Sequence, residues 1–152
     1  MPPAARMYRP PFQWLTFSIC ALFLLSCGLR AERRGIPSEV EATIASISDD
    51  IAAERYEKLY AEASELWRQD STLEESTAVL KTIRTKRGNV ENRTVHSATD
   101  QQNSGGPLKG RAFIVTFETK FQHGEGMETF TLIERNHQWL LAMYRVTSTA
   151  LE

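Results

Sequence analysis

The apolar residues are spaced in three different ways along this chain. An uncharged apolar run comes first, beginning at Phe12 and ending at Cys27. From Glu39 to about Gln69 the apolar positions recur every three or four residues, which predicts helix, and a further helix follows. After Gly88 the apolar and polar positions alternate, which predicts strands. The order predicts an α+β domain in which N-terminal helices pack on a curved, four-stranded antiparallel sheet.

The helical region is predicted to contain a break. Ser38 has the character of an N-cap, and isoleucines at positions 44, 47 and 51 form the first apolar stripe. Arg55 stands where that stripe should continue. The sequence therefore predicts either two helices or one bent helix, with the change between Asp49 and Arg55.

The last predicted helix has signals at both ends. Ser71-Thr72-Leu73-Glu74 fits a capping box, in which a side-chain oxygen and a glutamate satisfy free amide groups at the helix start. Basic residues gather in the last turn, and Gly88 follows them as the predicted left-handed cap.

Four strands are predicted in the second half, with a long loop after the first. The loop covers Asp100 to Gly110, which is rich in glycine and polar residues. The predicted strands are 90–97, 111–121, 127–134 and 138–147. Alternation predicts one apolar and one polar face, and Glu118 and Glu128 are expected on the polar faces, in contact with water.

The apolar run near the N-terminus has the parts of an export signal. Arg6 and Arg9 form a basic start, and no charge follows until Arg30. Leu24-Leu25-Ser26-Cys27 resembles the lipobox of bacterial lipoproteins, in which the cysteine is lipidated and becomes the new N-terminus. The resemblance implies a signal peptide over residues 1–26, a lipidated tether over 27–37 and one α+β domain over 38–152. A plain cleaved signal and an uncleaved anchor remain alternatives, since the run just reaches spanning length.

Lipidation at Cys27 would place the protein in the bacterial cell envelope, facing the periplasm or the exterior. The membrane would be its first partner, through the lipidated N-terminus. Gly28 follows the cysteine, where an aspartate would be the inner-membrane retention signal. By analogy with lipoprotein sorting, the outer membrane is the expected destination if the cell has one.

Charge and cysteine content narrow the possible functions. The chain has 18 basic and 19 acidic residues, and the leader holds two arginines and no acid. The mature part is therefore weakly acidic, which argues against a nucleic-acid partner. Both cysteines, Cys20 and Cys27, lie in the leader region, so the domain has no internal disulfide and depends on its apolar core.

The domain resembles a family of bacterial envelope proteins with a domain of unknown function, the DUF4019 type. The resemblance covers roughly Asp49 to Ser148 and implies a cystatin-like or NTF2-like α+β fold, without an established activity. The segments that carry it are Tyr56–Ser64, Gly88–Arg93, Phe117–Phe121, Glu128–Leu132 and Gln138–Tyr144.

No pattern of catalytic, metal-binding or cofactor-binding residues stands out. His96, His123 and His137 lack the spacing of a zinc site, and the domain has no cysteine to join them. We therefore expect no catalytic residues, no metal and no cofactor. An enzyme of the NTF2-like kind would need a carboxylate tuned by an apolar wall, with a tyrosine or second acid opposite. The candidates for that alternative are Tyr56, Tyr60, Arg93, Glu118, Glu128 and Tyr144.

A separate hypothesis concerns the role of Arg93. It follows the predicted helix cap, where its guanidinium could tie the strand to the free carbonyl groups of the preceding helix. The expected role is structural, and binding of an anionic ligand is the lesser alternative.

The sequence thus predicts a non-catalytic, lipid-anchored envelope protein that acts as a binding or structural module, with an envelope protein as a possible partner. The first surface to test would be the solvent-side sheet face with the Asp100–Gly110 loop. The alternative is an NTF2-like pocket protein that binds or transforms a small molecule. A cavity of a few hundred cubic ångströms lined by polar side chains would favour the alternative, and a tightly packed interior would favour the module.

Overall fold

The computed structural model describes residues 35–148, which form four helices followed by four strands. The predicted signal peptide, Cys27 and most of the tether lie outside the described residues. The helices are α1 (Ser38–Ala52), α2 (Tyr56–Glu62), α3 (Glu65–Asp70) and α4 (Leu73–Arg87). The strands are β1 (Val90–Asn103), β2 (Gly110–Phe121), β3 (Gly124–Arg135) and β4 (Gln138–Ser148).

The strands form one antiparallel sheet in the order β1-β2-β3-β4, so each strand pairs with its neighbour in sequence. Two-residue turns join β2 to β3 and β3 to β4. The second turn, Asn136-His137, has positive φ at both residues, as a tight hairpin requires. The sheet is open, with β1 and β4 as its edges. The predicted α+β class and the four-stranded antiparallel sheet are confirmed.

The predicted break in the first helical region is confirmed. Helix α1 ends at Ala52, and Glu54 has a φ of 57°, which turns the chain before α2 begins. A second break was not predicted: Ala63 and Ser64 are extended, with ψ of 164° and 163°. Ser64 then caps α3, since its side chain accepts a hydrogen bond from the Trp67 amide.

The capping box of α4 lies one residue beyond its predicted place. Thr72 is the N-cap, and its hydroxyl accepts from the Glu75 amide while the Glu75 carboxylate accepts from the Thr72 amide. Ser71 instead shares a hydrogen bond with Ser76, at 2.9 Å. Gly88 ends α4 as predicted and has a positive φ, at 74°, but its ψ of −158° lies outside the left-handed helical region predicted for the cap.

The predicted loop after β1 is too long. Residues Asp100–Asn103 belong to β1 and pair with the start of β2, which leaves 104–109 between the strands. Arg111 binds both carboxylate oxygens of Asp100, at 3.1 and 2.9 Å. This cross-strand pair extends the hairpin into a segment whose polar composition is typical of a loop.

A bulge in β4 changes which side chains face the helices. Leu132 pairs with Leu141, but Thr131 pairs with Met143, so Ala142 is an extra residue. Leu141 is buried before the bulge, and Tyr144 packs on the core after it. Met143 is two residues after Leu141, and strict alternation would place both on one face, but Met143 is 46% exposed.

The core lies between the helices and the inner face of β2, β3 and β4. Its helical side consists of Val40, Ile44, Ile47, Tyr56, Leu59, Ala63 and Leu80, and its sheet side of Phe113, Val115, Phe130, Leu132 and Leu141. No helix within residues 35–148 is both long and apolar enough to cross a membrane.

Candidate functional site

Glu128 is completely buried on the inner face of the sheet. The prediction that it contacts water is therefore wrong. Side chains two residues apart on a strand share a face, and Glu128 has the same parity as the buried residues Phe130 and Leu132. The prediction for Glu118 is confirmed, since its side chain is 62% exposed and lies beside His96.

The Glu128 carboxylate accepts four hydrogen bonds from three residues. Arg93 approaches it with Nε at 2.6 Å from Oε2 and Nη2 at 3.0 Å from Oε1. The Thr119 hydroxyl donates to Oε2 at 2.7 Å, and the Tyr144 hydroxyl donates to Oε1 at 2.6 Å. Each oxygen thus has two donors, one of them from Arg93, in the two-pronged geometry of strong arginine–carboxylate pairs.

Arg93 has a different partner from the one predicted. Instead of the carbonyl groups of α4, it binds Glu128 two strands away and donates through Nη1 to the Ser48 hydroxyl at 3.0 Å. Its guanidinium also lies over the Phe130 ring, 5.6 Å from the ring centre. One side chain therefore joins β1, β3 and α1.

This cluster is saturated rather than poised for catalysis. A carboxylate offers about four acceptor positions, and Glu128 uses four. Burial raises the pKa of Tyr144 far above its usual range, and the adjacent Glu128 charge raises it further, so the hydroxyl stays a donor. A general base needs a lone pair directed at its substrate, and both oxygens of Glu128 are already occupied.

The other three candidates of the enzyme alternative lie apart from this cluster. Tyr60 donates to the Ser71 carbonyl at 3.0 Å. Tyr56 is buried in the core, and its hydroxyl has no hydrogen-bond partner within the described part of the chain. Glu118 is on the outer face of β2. The six residues therefore divide into one buried cluster of three and three separate positions.

Asp50 is a second buried carboxylate, near the end of α1. Arg55 and Lys58 each reach one of its oxygens at 2.7 Å. Burial alone would raise the pKa of Asp50, but the hydrogen bonds and charges of Lys58 and Arg55 outweigh burial and hold the pKa below its ordinary value. The pairs fix the turn between α1 and α2, and they explain why Arg55 interrupts the apolar stripe.

An open cleft of about 790 Å³ lies between α1, the α2–α3 segment and the beginning of β4. Its apolar wall includes the buried residues Ile47, Leu59 and Leu141, with Trp139 beside them. The volume falls within the range of small-ligand sites, and an apolar wall with a few polar groups is typical of them. The cleft therefore has the volume and the polar lining that would favour an NTF2-like pocket protein.

Most of the charge that lines the cleft is paired. Three carboxylates line it, from Glu39, Asp50 and Glu62, but Asp50 is bound by Arg55 and Lys58, and Glu62 is bound by Lys58. Arg68 donates to the carbonyl groups of Ala61 and Ala63 and so stabilises the end of α2. The three carboxylates are therefore balanced by three cations, Arg55, Lys58 and Arg68.

The histidines are dispersed over the surface. His96 lies on β1, His123 in the β2–β3 turn and His137 in the β3–β4 turn, all exposed. Residues 35–148 contain no group of three or more potential metal ligands among His, Cys, Asp and Glu.

The sequence contained a signal for the burial of Glu128 but none for its partner or for the cleft. Counting in twos from Phe130 places Glu128 on the inner face. The strand register, which only the structure shows, places Arg93 opposite Thr119 on the same face. The cleft depends on the angle between α2 and α3 and on their approach to β4. Those features follow from the second helix break, which no sequence pattern predicted.

The described residues thus define an α+β domain with a saturated ionic cluster inside and an open cleft at one sheet edge. Residues 44–144 match the family described as a protein of unknown function, DUF4019. The chain belongs to this family, as the resemblance implied. No curated protein matches the sequence.

Proposed function

We propose that this protein is a non-catalytic binding module of the bacterial cell envelope, anchored by a lipid on Cys27, and that its ligand occupies the cleft between α1 and β4. The observation that carries the proposal is the cleft itself, with its apolar wall and a few polar groups. We also propose that the domain is of the cystatin-like or NTF2-like kind, since helices precede an antiparallel sheet that packs on them.

Two observations favour binding over chemistry. Glu128 and Tyr144 are the buried groups that an NTF2-like enzyme would use, and both are engaged with each other and with Arg93. The carboxylates that do line the cleft include Asp50, which Arg55 and Lys58 neutralise. The alternative from the sequence is an NTF2-like pocket protein that binds or transforms a small molecule. The cleft supports the binding half of that alternative, and transformation has no free acid–base pair to support it among Glu128, Tyr144 and Asp50.

The first prediction concerns lipidation of Cys27. Cells that express the wild-type chain should incorporate a clickable fatty-acid probe into it, and the protein should fractionate with membranes. Cys27→Ala should lose the label, while Cys20→Ala, a cysteine removed from the same leader, should keep it. Equal labelling of the wild-type and Cys27→Ala chains would contradict lipidation at this residue. Retention of an unlabelled wild-type chain in membranes would favour the uncleaved anchor.

The second prediction concerns cross-linking of a ligand in the cleft. A photoreactive side chain at Thr43, in the cleft, should yield a cross-linked adduct in intact cells. Thr82 is the matched control, because it is also on a helix and also donates its hydroxyl to the carbonyl four residues earlier. No adduct is expected there.

A third cross-linking position distinguishes the cleft from the sheet face and Asp100–Gly110 loop, which the sequence predicted as the first surface to test. Lys109 is exposed in the loop between β1 and β2, next to the solvent-side face of the sheet. Adducts from Lys109 but not from Thr43 would contradict the cleft as the binding site and restore the loop.

A further inference from the structure

Most of the ionic side chains that line the cleft are engaged by the protein itself. Arg55 and Lys58 hold the Asp50 carboxylate. Lys58 also binds Glu62, and Arg68 donates to main-chain carbonyl groups. A charged ligand would have to break one of these contacts to form an ion pair of its own, and a protein charge would then lose its partner. The cleft therefore favours a ligand without net charge.

A second set of polar side chains in the cleft is free to bind a ligand. Among the described residues, no hydrogen-bond or ionic partner is seen for the side chains of Glu39, Ser46 and Gln138, and all three are exposed. The Thr43 hydroxyl donates to the Glu39 carbonyl, and its oxygen can still accept. Hydroxyl groups on a ligand complement this mixture of donors and acceptors, because a hydroxyl both donates and accepts hydrogen bonds.

The free groups are distributed along the cleft. Glu39, Thr43 and Ser46 are three or four residues apart, so they share one face of α1, and about one helical turn, roughly 5 Å, separates each from the next. Gln138 belongs to the β4 side of the cleft. A ligand that reaches all four residues therefore carries hydrogen-bonding groups at several points along its length.

The cleft offers apolar surface beside these polar groups. The buried residues Ile47 and Leu141 line it, and so does Trp139, which is only partly buried. Phe113 contacts the Trp139 ring edge to face, with the ring centres 6.1 Å apart, and the Arg111 guanidinium lies 5.3 Å from the ring centre. These contacts fix the indole at the side of the cleft, where it can pack against an apolar surface of a ligand.

We infer that the cleft binds a neutral oligosaccharide, with the C–H faces of its rings against Trp139 and its hydroxyl groups bound by Glu39, Ser46 and Gln138. A pyranose ring combines an apolar face with hydroxyl groups at its edge, which matches the two kinds of surface in the cleft. A purely apolar ligand would instead cover the free polar groups and leave them without partners, at a cost in free energy. The inference rests on the proposed function, because it names the ligand of the same cleft.

The size of the cleft favours a chain of sugars over a single ring. Its volume is about 790 Å³, and it is open to solvent. Sites of this volume hold ligands larger than a single sugar ring, and an open cleft lets a chain continue beyond it.

The test uses the full chain, purified in a detergent without a sugar headgroup, and the neutral probes maltotetraose, cellotetraose and chitotetraose. Isothermal titration calorimetry should show saturable binding of at least one of them, with an affinity that does not change as salt is added. Gln138→Ala should weaken that binding about two- to tenfold, the effect of losing a neutral hydrogen bond. The matched control Gln102→Ala removes an exposed glutamine of β1, outside the cleft, and should leave the affinity unchanged.

Tryptophan fluorescence tests where the sugar binds. Trp139 lines the cleft and Trp67 does not. The bound tetrasaccharide should therefore change the emission of the wild-type and Trp67→Phe chains but not that of Trp139→Phe. A change that persists in Trp139→Phe and disappears in Trp67→Phe would overturn the inference. Poly(ethylene glycol) of similar mass is the control probe, because it is neutral and has no ring face, and a response of equal size to it would also overturn the inference.

The outcomes separate this inference from the proposed function. Absence of binding by all three tetrasaccharides up to about 10 mM, with adducts still formed at Thr43 in cells, would overturn the sugar inference and leave the cleft as a binding site. Absence of both would overturn both.

Discussion

Replacing Arg93 by methionine is expected to lower the free energy of unfolding by about 3 to 5 kcal/mol, because it leaves a buried carboxylate without its counter-charge. Glu128 is fully buried, and Arg93 supplies two of its four hydrogen bonds. The substitution also removes the contact with Ser48 on α1 and the guanidinium over Phe130. Thermal unfolding should shift downward by roughly 10 to 20 °C for a domain of this size.

A double-mutant cycle distinguishes loss of the pair from loss of packing. Arg93→Met combined with Glu128→Leu removes both charges, so the double variant should be more stable than Arg93→Met alone. Arg145→Met is the matched control, since Arg145 is an exposed arginine on β4 and should change stability by less than about 0.5 kcal/mol. An Arg93→Met chain that unfolds at the wild-type temperature would show that the ion pair does not stabilise the domain.

Replacing Gly88 by alanine is expected to cost about 3 kcal/mol of stability, from backbone strain and from a steric clash. Gly88 has φ 74° and ψ −158°, a region that is essentially restricted to glycine. A Cβ atom there would lie 2.7 Å from the Cβ of Gln122, closer than real contacts allow. Gln122 cannot move freely, because its side chain accepts from the Asn89 amide and its own amide donates to the Asn89 carbonyl.

The control for this substitution is Gly105→Ala. Gly105 lies between β1 and β2, and a Cβ atom there would meet nothing within 4 Å. Chemical denaturation should therefore give nearly the same midpoint for Gly105→Ala and the wild type, and a clearly lower one for Gly88→Ala. Equal midpoints for the two variants would mean that the junction between α4 and β1 can adjust without cost.

Most of the architecture could be predicted because it depends on local patterns. The alternation from Arg111 to Phe121 identifies a strand, and Gly88 marks the end of a helix. The capping box was misplaced by one residue because Ser71 and Thr72 are both competent caps and both are followed by a glutamate three residues later. Only the chain geometry around Tyr60 and Ser76 selects Thr72.

Predictions that depend on phase along a strand were less accurate. The bulge at Ala142 moves Tyr144 to the inner face and Met143 to the outer face. A bulge is set by pairing with a neighbouring strand, so a single strand's sequence does not reveal it. Glu128 is a different case. Its position two residues before Phe130 already indicated the inner face, but a charged side chain is normally expected on the polar face, and the charge decided the prediction.

The sequence by itself determined the class of the domain, the order of its elements and the lipobox-like segment before it, because hydrophobic period and turn residues act locally. The tertiary structure alone decided that Arg93 pairs with Glu128 and that a cleft opens between α1 and the beginning of β4. These features join residues 35 positions apart or more, or arise where separate elements approach. Such contacts depend on packing angles and strand register, which no local pattern encodes.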